Sequence, residues 1–151
     1  IRSGLFERRL RALCPGREII TAACPDFVTL IESGHFSPDD PAVRAAVEKY
    51  LRAMKEAGVR ELLLGCTHYG LISEAIDRYL GGKTTLVSAS ECTALAVSRM
   101  LTDSGMTGGE GKTDYYTSGS AREFDEKAAM LLGHAIEGAV SVPVMEVPPL
   151  I

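Results

Sequence analysis

Glu61-Leu62-Leu63-Leu64-Gly65-Cys66-Thr67-His68-Tyr69-Gly70 decides how the rest of the chain is read. A short aliphatic run, the right length for a buried strand, stops at a glycine and gives way at once to a thiol, a hydroxyl, an imidazole and a phenol. In open α/β sheets ligands bind beyond the carboxyl ends of the strands, which is where these groups fall. Gly65 allows close backbone approach, and Cys66 can act as a thiolate. Thr67 offers a hydroxyl and an N–H near the start of the next helix, where an anionic carboxylate is favoured. His68, two residues beyond Cys66, can return to the same pocket. The residues alone leave a blander reading open. A cysteine at a strand end is commonly a small buried hydrophobe and the histidine beside it a hydrogen-bonded core residue, while Thr67 can simply cap a helix.

Outward from this stretch, short runs rich in β-branched residues alternate with longer amphipathic segments, the rhythm of βα units and a mainly parallel sheet flanked by helices. The pattern predicts strands at Glu18 to Ala23, Glu61 to Gly65, Thr85 to Ala89, Asp114 to Thr117 and Val140 to Met145. The longest helix is expected from Asp40 to Ala57, where Val43, Ala46, Val47, Tyr50, Leu51 and Met54 form an apolar stripe. Pro41 suits its first turn, Asp39 or Asp40 can cap it, and Gly58 ends it. Further helices are expected over Leu71 to Leu80, Glu91 to Thr102 and Ala121 to Leu132. The glycine-rich stretch Ser104 to Gly111 marks an exposed connection.

The 151 residues carry 16 basic and 20 acidic side chains, a net charge of -4, with the cations scattered instead of forming a stripe. Nucleic acid is therefore not the expected partner. No apolar run is long enough to span a bilayer and the first residues lack a signal-like apolar stretch, so a soluble cytoplasmic protein is the expectation. Cys14, Cys24, Cys66 and Cys92 form no CxxC pair, which argues against a zinc cluster or a redox motif and for reduced thiols.

Leu64-Gly65-Cys66-Thr67-His68-Tyr69 closely resembles the second-cysteine signature of the aspartate/glutamate racemase superfamily. Upstream, Ala23-Cys24-Pro25-Asp26-Phe27-Val28-Thr29-Leu30-Ile31-Glu32 is similar to the glutamate racemase pattern Ala-Cys-Pro-x-Phe-Val-Pro-Leu-x-Glu, at the spacing that family shows. Ser3-Gly4-Leu5-Phe6 and Tyr116-Thr117-Ser118-Gly119 with Phe124 are weaker matches. The departures are Thr29 and Gly70 where the family usually has proline, and Ser88 where aspartate is common; Gly70 loosens the first turn of the following helix.

The resemblance implies a two-domain α/β racemase fold of which this chain is the C-terminal part. Residues 1–89 would be most of the second domain, and residues 90–151 would complete the first. It implies interconversion of L- and D-glutamate without a cofactor or a metal, supplying D-glutamate for peptidoglycan and hence the cell wall. Two cysteines flank Cα, one taking the proton as thiolate and the other returning one as thiol. Cys66 matches the cysteine that acts on L-glutamate, His68 would share a proton with it, and Glu32 would orient the imidazole. Thr67, with Cys66, would hold the substrate. Without the resemblance, Glu32 reads as a solvated residue on an amphipathic helix. Cys24 would be a wall residue, Cys14 and Cys92 structural, and His35 and His134 surface residues. The opposing cysteine is expected in an N-terminal half of the same enzyme, and a homodimer is left open. The same superfamily also contains aspartate and hydantoin racemases and arylmalonate decarboxylases. A non-catalytic dicarboxylate-binding module is the alternative of a different class.

Overall fold

The computed structural model describes residues 3–109, 111–136 and 138–144. The chain forms two compact units, Ile1–Leu101 and Thr102–Ile151.

The first unit is built from α1 (Leu5–Leu13), α2 (Pro25–Glu32), α3 (Pro41–Glu56), β1 (Glu61–Leu64), a 3-10 turn (Tyr69–Ile72), α4 (Ser73–Leu80) and β2 (Thr85–Ser88), with α5 (Ala89–Asp103) following directly. The strands β1 and β2 run parallel, Leu62 opposite Leu86 and Leu64 opposite Ser88. Their side chains alternate, so that Leu62 and Leu64 enter the core while Leu63 stays exposed.

The helix α3 forms where its stripe requires and buries Val43, Ala46, Val47, Leu51 and Met54. Pro41 occupies its first turn and the Asp40 carboxylate accepts from the Ala42 N–H at 2.8 Å. Gly58, at φ +63°, ends it: its N–H reaches the Lys55 carbonyl and that of Val59 reaches Met54. Phe27 and Ile31 of α2 and Ile76 of α4 complete this core. Each such aliphatic or aromatic side chain contributes about 1.5–3 kcal/mol by leaving water, which anchors α2 against α3 and the 3-10 turn that follows β1.

The β-branched stretch Glu18 to Ala23 is not a strand. A strand needs a ladder, and this segment donates and accepts none with β1. It lines instead a cavity of about 970 Å³ whose walls include Ile19, Ile20, Leu62 and Leu64. The helix expected from Leu71 begins as the 3-10 turn at Tyr69 and becomes α-helical at Ser73. The expected helices α3, α5 and α6 are present.

In the second unit β3 (Tyr116–Thr117) and β4 (Val140–Ser141) pair in parallel, and α6 (Ala121–Leu132) runs from a Ser120 cap to Gly133 at φ +73°. The last expected strand is present at its first two residues; its far end, Met145, lies outside the described residues. Among the described residues no helix is long and apolar enough to cross a membrane.

Candidate active site at the end of the first strand

Leaving β1, the backbone turns tightly: the Tyr69 N–H returns to the Cys66 carbonyl at 3.2 Å, which gathers Cys66, Thr67 and His68 into one bend. A Cβ built on Gly65 meets no atom within 4 Å among the described residues, so the strand end opens on free space. Cys66 is half-buried, Thr67 exposed and His68 half-buried.

His68 joins the candidate residues. Its Nδ1 lies 4.0 Å from Cys66 Sγ and 3.4 Å from Thr67 Oγ1, and its Nε2 lies 3.3 Å from Glu32 Oε1. Glu32 ends α2, so a carboxylate thirty-six positions upstream of the imidazole is brought to it by the packing of Phe27 and Ile31. The chemistry of a neutral imidazole follows directly. With Nε2–H donated to the carboxylate, Nδ1 is left as an acceptor facing the thiol and the threonine hydroxyl. A thiol, a proton acceptor and an orienting carboxylate thus stand in line at a partly solvated strand end, an arrangement able to move a proton at sulfur.

The other cysteines differ. Cys24 is buried, with burial and then the nearby Asp26 carboxylate pushing its thiol up to about 11. It is held as the neutral thiol and its Sγ points to the Ala22 carbonyl at 3.7 Å. Cys14 and Cys92 are exposed. His35 is exposed and pairs with Asp40 at 2.7 Å, and His134 is exposed too. No group of three or more His, Cys, Asp or Glu side chains among the described residues is arranged to hold a metal ion.

Tyr69 was not singled out by the sequence. Its hydroxyl donates to the Cys24 carbonyl at 3.1 Å, and its ring stands edge-on to Phe27, with centroids 5.2 Å apart. Phe27 meets Tyr50 of α3 in the same manner at 5.4 Å. Burial, then the neighbouring Cys24 and Cys66 sulfurs, pushes the Tyr69 phenol up to about 12. The sequence signal was its place after His68 at the end of the signature, and a tyrosine's hydrogen-bond partner 45 residues away leaves no local trace.

Such a structure is that of an α/β protein presenting a thiol and an imidazole beyond a parallel strand. No protein-family model matches the chain. The glutamate racemase of Desulforudis audaxviator (strain MP104C) is 33% identical over 94% of this chain and 55% of its own length. That of Beutenbergia cavernae is 49% identical over 60% of this chain and 30% of its own. Among solved structures, glutamate racemase from Thermus thermophilus in complex with beta-chloro-D-alanine superposes with a TM-score of 0.69 at 34% identity, covering 82% of this chain and 47% of that one. A Bacillus anthracis glutamate racemase isoform gives 0.77 at 29% identity over 95% and 53%. The chain is similar to glutamate racemases over 91–95% of its own length, and it spans about half the length of most of the curated relatives it matches.

Proposed function

We propose that the protein to which this chain belongs interconverts L- and D-glutamate by proton exchange at Cα, with Cys66 as one of two opposed thiols. The observation that carries this reading is the run from sulfur to imidazole to carboxylate: Cys66 Sγ, His68 Nδ1 at 4.0 Å, and Glu32 Oε1 at 3.3 Å from Nε2. The Cα–H of an amino acid is a very weak acid, and a fixed substrate must lose it from one face and regain a proton on the other. One base cannot serve both faces, so two are needed. On this face the Cys66 thiolate takes the proton from L-glutamate and, as thiol, gives one to the carbanion formed in the reverse direction. His68 relays or holds that proton, Glu32 keeps the imidazole turned toward sulfur, and Thr67 holds the substrate carboxylate or amine.

Cys24 is a poor candidate for the opposing base, being buried with its thiol raised to about 11. We therefore place the second cysteine in residues outside this chain, with residues 1–89 as most of one domain and 90–151 completing the other. The Thermus thermophilus relative was solved with an amino-acid analogue, which supports an amino acid as the ligand class. D-glutamate made in the cytoplasm would serve peptidoglycan synthesis.

The test is a substrate panel on the full-length protein without added cofactor. D-glutamate should form from L-glutamate, with L-aspartate and an arylmalonate turned over far more slowly. Faster turnover of either competitor would reassign the substrate. Ligand protection of Cys66 from alkylation without any turnover would leave a binding module.

A further inference from the structure

We infer that Tyr69 is the positioning residue that holds the Cys66–His68 bend in register with Glu32; its kinetic test rests on the racemase reading, its spectroscopic test does not. Two neighbouring side chains of the bend reach the same helix. His68 meets Glu32 in the last turn of α2, while Tyr69 meets the Cys24 carbonyl at its first turn and Phe27 within it. The helix has eight residues, so the attachments are spread over roughly 12 Å at 1.5 Å per residue. Either contact alone leaves a pivot; both together fix where the bend lies along α2 and how it is turned.

The two contacts are unequal. The imidazole–carboxylate pair is part-exposed on both sides, with side chains 27% and 36% accessible, and such pairs hold geometry weakly. The Tyr69 ring instead packs on Phe27, which is 1% exposed and itself braced by Tyr50. Its hydroxyl donates to a carbonyl already engaged by the Phe27 N–H at 3.2 Å, so the acceptor belongs to the helix frame. Its N–H closes the bend onto Cys66. A phenol raised to about 12 keeps its proton, and so keeps donating, across any working pH. The thiol-to-imidazole distance of 4.0 Å is the quantity that slippage would spoil.

Tyr69→Phe in the full-length protein removes the donor and retains the ring. In the tyrosine background, Glu32→Gln and His68→Gln should be coupled in kcat by roughly 2- to 100-fold. In the Tyr69→Phe background the coupling should collapse toward none. A merely structural tyrosine would lower every rate and leave the coupling intact, and intact coupling overturns the inference. Independently of turnover, Glu32→Gln should move the His68 ring-nitrogen shifts in the tyrosine protein and leave them nearly unmoved after Tyr69→Phe. An equal response in both backgrounds overturns it as well. If the tyrosine protein shows no turnover of glutamate, the racemase reading falls and the ring-nitrogen shifts decide this inference. Should Tyr69→Phe not fold, fluorotyrosine at 69 keeps the ring and ionises at lower pH. The His68 shifts should then step with that ionisation, and shifts that ignore it count against the role.

Discussion

The longest helices, α3 and α5, are nearly equal in length, 16 and 15 residues, yet α3 buries five side chains and α5 none. Both carry apolar residues. On α3 they are covered by α2 and α4, whereas on α5 Leu95 is 60% and Met100 68% exposed. A helix with an apolar face at this exposure has not found its cover within the described residues. The site-bearing part of the chain therefore holds its own core, while the later part has short strands and, on α5 and α6, helices that bury no side chain among the described residues.

The largest effect expected from this contrast is all-or-none. The 151-residue chain alone should fail to interconvert glutamate enantiomers while the full-length protein succeeds, and turnover by the isolated chain would place both bases within it. Next in size is the core. Phe27→Ala should cost about 3–5 kcal/mol in denaturant unfolding of the 151-residue chain. Leu132→Ala, 53% exposed in it, should stay within about 0.5 kcal/mol. Equal losses would erase the distinction between the two parts.

His68→Ala should lower kcat from L-glutamate roughly tenfold to a hundredfold, and lower kcat from D-glutamate less. The enantiomers are equal in free energy, so kcat/KM must fall alike in both directions and KM must shift to compensate. Equal kcat losses would make the imidazole purely structural. The smallest effect is in acid. The hydrogen bond from Lys49 holds the Asp26 carboxyl below its usual range. A depressed carboxylate adds stability above its unfolded value near 3.9, lost as pH falls through the lower folded value. Asp26→Asn should thus flatten the acid limb of a stability–pH curve slightly, the pair being exposed.

Much of this was legible in the sequence where one element decides its own fate. The helix α3 lies within a residue of its expected bounds at each end because a proline, a capping aspartate and a terminal glycine are local signals. Glu18 to Ala23 has strand chemistry but no ladder, and pairing is decided by what lies alongside, which composition does not record. The four candidate site residues came from two motifs, Cys66, Thr67 and His68 from one and Glu32 from the other, and the structure brings them within a few ångströms. Tyr69 escaped because its partners, Cys24 and Phe27, are set by tertiary packing.

The most direct measurement is incorporation of solvent deuterium at Cα when the full-length Cys66→Ser protein is given L-glutamate. A hydroxyl is a far weaker acid than a thiol, so exchange from L-glutamate should fall by roughly three orders of magnitude or more, each tenfold being about 1.4 kcal/mol of barrier. Deuterium entering at close to the wild-type rate would show that the proton leaves by another route.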